Sequence, residues 1–333
     1  MMSANQFFSI LNDDAVITAR GVDSVSFLQG QLTNDVASLE DQGVQLTGYC
    51  NVKGRLHATF ILIKNAADID LIVSADVATI VHKRLSMFVM RAKTKLSLDG
   101  DARLVGLANP PPELVGDRAA IAVNQSVKLS HPTSANVSAT FMRLSDLHSQ
   151  FSRYVLLTDS SDLEVWTSYF STVMQEQPFA NWRAAEVGAG IVRVGLELTE
   201  MFVPQMLNLE VLGAVNFKKG CYPGQEVVAR SQYLGKMKRR TFLYSASGNS
   251  NTFKLGADVI DAATSNVEGQ VVGIASVENA EEVGQRKVLI ETSTDVFAAT
   301  QARTTSLKTG DVMLSALAQP YELPVHESLK RVL

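Results

Sequence analysis

Cysteine is scarce in this chain: there are two in 333 residues, Cys50 and Cys221, far apart. Two distant thiols make no disulfide framework, and they are too few for a four-thiolate metal site. A dominant charge is also missing. Lys and Arg number 30 against 34 Asp and Glu, a formal net charge of −4. No global basic field is therefore available to hold nucleic acid nonspecifically. Long hydrophobic runs are absent. The longest, Leu56 to Ile63, is interrupted by His57 and Thr59, well short of the ~20 residues that span a bilayer. Met1 to Leu11 has no basic stretch followed by an apolar core, so no secretory signal is expected. The expectation is a cytoplasmic protein with free thiols and no membrane partner. No repeat at solenoid spacing, metal-ligand spacing, phosphate loop or serine triad signature is found.

What is present is a well-packed composition, 46% hydrophobic and 19% charged, in a chain long enough for two or three domains. Ala15 to Ala19, Leu56 to Lys64, Asp68 to Ser74, Lys93 to Leu98, Arg103 to Ala108 and Tyr154 to Thr158 predict strands. Helices are predicted after Asp23, over Asp76 to Met90, Asp162 to Gln175, Phe179 to Gly188 and Pro204 to Leu212. In the second of these, Val77, Ile80, Val81, Leu85 and Phe88 follow helical spacing. Three prolines, Pro110 to Pro112, mark a break. Beyond Lys236 the pattern changes to short runs at 241–245, 270–277, 287–291 and 301–305 separated by turns, which predicts a small all-β terminal domain.

The densest chemical signal is the decapeptide Phe217 to Glu226. Gly220, Pro223 and Gly224 force an irregular backbone, and Gln225 to Arg230 predicts a helix that starts just after Cys221. The helix N-terminus, with Lys218 and Lys219, favours a thiolate at Cys221, a nucleophile or soft ligand. The alternative is a structural cysteine in a joining loop. Trp182, with Arg183 beside it, is either a core anchor or a platform for a flat heterocycle. Lys236, Lys238, Arg239 and Arg240, near Arg230, form a basic run that would hold an anionic tail or an RNA phosphate, or simply guard a strand edge. No aromatic platform interleaves it, so no strong nucleic-acid binding is expected. His57, in an apolar strand, is read as a packed residue.

Lys218, Gly220, Cys221, Tyr222, Gly224, Gln225 and Glu226 closely resemble the signature of the YgfZ family, a branch of the superfamily of the glycine-cleavage T-protein, an aminomethyltransferase. Supporting blocks are Gly21 to Asp23 with Phe27 to Gln31 and Thr33 to Asp35, then Lys53 to Arg55, then Phe202 to Gln205 with Asn208 and Leu209. The resemblance runs from about residue 10 to residue 245. It implies an α+β fold, a T-protein-like clover-leaf around a central tetrahydrofolate site. The domains expected are residues 1–45 with about 165–235, then about 46–164, then a β-barrel over about 236–333. It also implies a folate-binding accessory role in tRNA modification and in maintaining iron–sulfur enzymes, among them tRNA methylthiotransferases. Trp182 falls at one family folate tryptophan, and Asp14 falls where a second would be. True aminomethyltransferases carry a paired carboxylate where this chain has His57 and Ala58, so aminomethyl transfer is not expected. A one-carbon transferase and a thiol-redox or cluster-handling protein with structural folate stand as alternatives.

Overall fold

The computed structural model describes residues 6–115, 121–146, 152–233, 237–247, 254–275 and 285–324. Lys236 of the basic run lies outside the described residues.

Strand-forming residues dominate, and they assemble into three bodies. One six-stranded sheet runs β11 (Gln175–Glu176), β1 (Phe7–Ile10), β7 (Ala102–Ala108), β10 (Arg153–Asp159), β9 (Ser138–Arg143) and β8 (Gln125–Ser130). A five-stranded antiparallel sheet runs β3 (Val44–Cys50), β4 (Leu56–Asn65), β5 (Asp68–Ser74), β2 (Asp14–Arg20) and β6 (Lys95–Asp99). The third body is a closed barrel of β12 (Arg239–Ser247), β15 (Gln285–Ser293), β14 (Val267–Ile274), β13 (Asp258–Asp261), β16 (Leu307–Thr309) and β17 (Val312–Ala316).

The two sheets face one another. In β4, Leu62 points into the core beneath α1 (Ser24–Gln29) and α2 (Ala75–Ser86), while Ile63 joins Val16, Val44 and Ile72 in the layer between the sheets. In β7 and β10, Val105 and Leu156 face a core built on Trp166 and Phe170 of α4 (Leu163–Phe170). Leu104 and Val155 face the inter-sheet layer. Burial on both faces explains why these strands read as largely apolar rather than alternating. α5 (Phe179–Gly188) closes one side of the layer and also packs on β14 and β15 of the barrel.

The topology redraws the expected domain limits. β1 and β2 are neighbours in sequence, yet the turn at residues 11–13 sends them to different sheets. β2 pairs with both β5 and β6, so residues 14–99 cannot be divided near residue 45. Residues 102–159 belong instead with β1. The terminal β-barrel and the α+β class stand as expected.

Several elements differ from the sequence reading. α2 stops at Ser86, and Ile80 and Phe88 are about half exposed (51% each) rather than buried. Pro112 starts a short helix, α3 (Pro112–Val115), because proline is tolerated in a first turn. The expected helix at 204–212 is only a 3-10 turn, Pro204–Leu207, ended by Asn208 in the left-handed conformation. Residues 301–305 are not a strand but the end of α7 (Thr294–Gln301) and the turn after it.

Candidate functional site

The inter-sheet layer is not filled. A cavity of about 160 Å³ opens between the sheets, lined on one side by Val44, Leu46, Ile61 and Ile72 and capped by Ile191, Val192 and Leu212. Its polar lining is Gln45, Thr59, Asn124, Ser145, Arg153, Glu186 and Arg193. Two tethers fix the sheets around it. Val44 N–H donates to Asn124 O (2.8 Å), and Ser126 N–H to Gln42 O (2.7 Å).

The charged part of the wall is a buried network. Arg183 and Arg153 both pair with Glu186, and Arg193 pairs with Asp14. Burial raises the Glu186 pKa, but Arg183, Arg193 and Arg153 outweigh it and hold the carboxyl below its ordinary value. Burial pushes the Asp14 carboxyl up, against the pull of Arg193. Arg153 is pushed down to about 10, by burial first, with Glu186 opposing. Three guanidiniums thus meet two carboxylates and the network carries one excess positive charge; Arg153, Arg193 and Glu186 line the cavity, while Arg183 and Asp14 face a neighbouring cleft. Asp14 does not occupy an aromatic's role here; it anchors Arg193 instead.

Gln45 is the unsatisfied member of the wall. Its Nε2 is buried and finds no hydrogen-bond partner. A buried amide nitrogen without an acceptor costs about 1–3 kcal/mol, unless a bound molecule supplies one.

Trp182 is 1% exposed and lies behind this wall. Its indole packs so closely over Gly106 that a Cβ there would meet it at 2.7 Å. It stands one helical turn before Glu186 and holds α5 against the sheet. His57 and Ala58 are also buried. His57 Nδ1 lies 3.1 Å from Glu200, and its ring is 5.1 Å from that of Tyr49. Neither lines the cavity.

The signature and its supporting blocks come together, and Asn34 ties them to Leu46 and Gly213 of the cavity lining. Asn34 Nδ2 donates to Leu46 O and to Gly213 O, both 2.8 Å. Thr33 Oγ1 donates to Ala214 O (2.7 Å) and accepts from Gly48 N–H (2.8 Å). Lys219 Nζ donates to Gln29 O (2.5 Å), Leu32 O (2.6 Å) and Asn34 O (3.0 Å). Gly224, at φ +80°, lies so close to the 51–54 turn that a Cβ would meet Asn51 O at 2.3 Å.

Lys219 therefore clamps the N-terminal block and is not aimed at Cys221. Tyr222 is buried and 5.3 Å from Lys219 Nζ, while Gly220 has open space around it. Cys221 is exposed, beside exposed Lys218 and ahead of α6 (Gln225–Tyr233) with Glu226 in its first turn. Cys50 is buried, which raises its thiol pKa.

Two members of the basic run are taken up by ion pairs, while Lys238 stays exposed. Arg240 is 2% exposed and pairs with Glu210 at 2.7 Å, and Arg239 pairs with Glu291 at 2.7 Å. Arg240 bolts the barrel to the segment before the signature, alongside Asn208 Nδ2 donating to Thr241 O (2.7 Å) and Tyr321 Oη donating to Gly190 O (2.9 Å). Among the described residues no group of three or more His, Cys, Asp or Glu could hold a metal ion, and no helix is long and apolar enough to cross a membrane.

Sequence reasoning missed Glu186, Arg153, Arg193 and Gln45. Two signals were available: an arginine opening an otherwise apolar strand at 153, and a glutamate one turn after Trp182 on the same helix face.

Two facing sheets and a terminal barrel place the chain in the fold of a solved glycine cleavage aminomethyltransferase. The chain superposes on aminomethyltransferase T of the glycine cleavage system from Bartonella henselae with a TM-score of 0.71 at 14% identity, covering 96% of this chain and 87% of that one. Within that fold the chain belongs to the YgfZ family. It is 31% identical over 255 residues to the tRNA-modifying protein YgfZ of Aliivibrio fischeri, covering 76% of this chain and 74% of that protein. No protein-family model matches the chain.

Proposed function

We propose that this protein binds a tetrahydrofolate in the inter-sheet cavity and serves tRNA modification as an accessory to iron–sulfur enzymes such as tRNA methylthiotransferases, with Cys221 as its exposed reactive group. The observation that carries the reading is the chemistry of the cavity wall. A reduced pterin carries a planar aminopyrimidine half whose edge presents N–H donors and a carbonyl acceptor. Glu186 supplies the acceptor for that edge, and the orphaned Gln45 Nε2 supplies a donor. The excess guanidinium charge suits the carboxylates of the glutamyl tail. When bound, a reduced folate supplies a one-carbon carrier. Buried His57 and Ala58 stand where aminomethyl transfer needs carboxylates, so the accessory reading is favoured over the transferase one. The relative named for tRNA modification supports the tRNA side of the reading.

Titration calorimetry with tetrahydrofolate tests it. Gln45→Leu removes an amide that has no partner in the protein, so stability should hold or rise slightly while folate affinity falls about five- to tenfold. Equal affinity in the two proteins would remove the cavity from the reading. Cys221→Ser should fold and bind folate as the parent does, yet fail to restore methylthiolated tRNA in cells lacking the native protein. Full restoration would leave the folate cavity as the whole functional site.

A further inference from the structure

Residues 77–98 contain five Lys and Arg and no Asp or Glu, in a chain whose net charge is −4. Lys83 and Arg84 sit in the last turn of α2, where the helix dipole answers part of their charge, and Arg84 lies 3.8 Å from Glu200. Arg91, Lys93 and Lys95 are different. All three are exposed, the residues between them are half-buried, and none has a carboxylate within ion-pair distance among the described residues. Beside them the turns after α2 present Met87 (62% exposed), Phe88 (51%) and Met90 (88%).

The platform is held firmly. Phe88 N–H donates to Leu85 O (3.0 Å) and Ala92 N–H to Val89 O (2.8 Å). Lys93 N–H donates to Asp23 Oδ2 (2.7 Å), and Ser24 and Thr94 hydroxyls are 2.7 Å apart. Asp23 N–H also donates to Lys93 O (3.3 Å), and Gly21 lies so close to Lys93 O that a Cβ would meet it at 2.3 Å, so the loop is packed and hydrogen-bonded against the N-terminal block. Apolar side chains this exposed on a fixed loop are not waiting for a place in the core.

We infer that this loop is an RNA-binding surface, with Phe88 a stacking platform for an unpaired base and Arg91, Lys93 and Lys95 the contacts to its phosphates. Charge complementarity selects a polyanion over an ordinary protein surface. One phenyl ring and two thioethers among interspersed cations suit single-stranded or loop RNA, where bases are free to stack. A lipid surface instead favours an amphipathic helix with a continuous apolar face. The inference deepens the tRNA side of the proposed function and rests on it for the choice of partner.

The test is fluorescence anisotropy of a labelled RNA stem-loop with a purine-rich loop, titrated with the full chain at several salt concentrations. Phe88→Ala should weaken binding about five- to hundredfold. The triple variant Arg91→Gln, Lys93→Gln, Lys95→Gln should lower the log–log salt slope by about 2 to 3. Both variants should melt at the parent temperature and bind tetrahydrofolate as the parent does. Loss of folate binding in the parent protein, with the RNA result intact, would sink the cavity reading alone. Three outcomes would overturn the RNA surface: no RNA binding at low salt, variants that bind as the parent does, or patch-dependent capture by phosphatidylserine vesicles without RNA binding.

Discussion

Lys219 is where a charged side chain was expected to tune chemistry and holds architecture instead. Its ammonium sits among three carbonyls of the turn at residues 29–34. Burial lowers its pKa to about 8, so it keeps its proton at neutral pH and can serve all three. Lys219→Met keeps the bulk of the stem but leaves three acceptors without a donor. Each buried acceptor left unmade costs about 1–3 kcal/mol, and partial relaxation brings the expected loss to about 3 kcal/mol. The measurement is the urea midpoint at pH 7, with the m-value unchanged. If Lys219 acted mainly on the thiol, stability would hold and only the alkylation rate of Cys221 would move.

At the scale of elements, the signature is a joint. Gly54 (φ +73°) and Gly224 (φ +80°) bring the Lys53 to Arg55 turn and the start of α6 together, and no side chain fits between them. Gly224→Ala should destabilise the protein by about 2–4 kcal/mol, from the left-handed strain plus the clash with Asn51 O. A thermal melt within a degree of the parent would show that the joint opens at no cost. Both motifs were legible in the sequence as glycine-framed blocks. That they touch one another was not, because the packing of two turns 170 residues apart leaves no local pattern. The same limit explains α2. Its periodicity continues through Phe88, but no second layer covers that face, and spacing alone cannot say whether a neighbour exists. β3 was missed because Gln45, Thr47 and Gly48 break the apolar run, and Gln45 is part of the cavity's polar lining.

At the scale of the whole molecule, the class, the barrel and the family blocks themselves were readable, while the charge network was not, since its members lie on separate elements that meet only in three dimensions. One consequence of that burial is sensitivity to acid. His57 titrates near 4 in the folded chain against an ordinary 6.5, because burial and then Arg84 disfavour the imidazolium, with Glu200 opposing. The folded pKa is the lower one, so the unfolded chain binds more protons between those values. His57's contribution is therefore complete above about pH 6.5 and is lost as pH falls toward 4. Going from pH 7 to pH 4.5 should cost about 2.5 kcal/mol through this residue. Glu186, held low by three arginines, pushes in the same direction further into acid, while Asp14, raised by burial, pushes the other way. A difference measurement separates them. Urea unfolding of the parent and of His57→Gln at both pH values should show the parent losing about 2 kcal/mol more than the variant. Equal losses would mean that His57 takes up its proton without disturbing the fold. Glu200, half exposed and already 3.1 Å from His57 Nδ1, would then hold the imidazolium as a salt bridge.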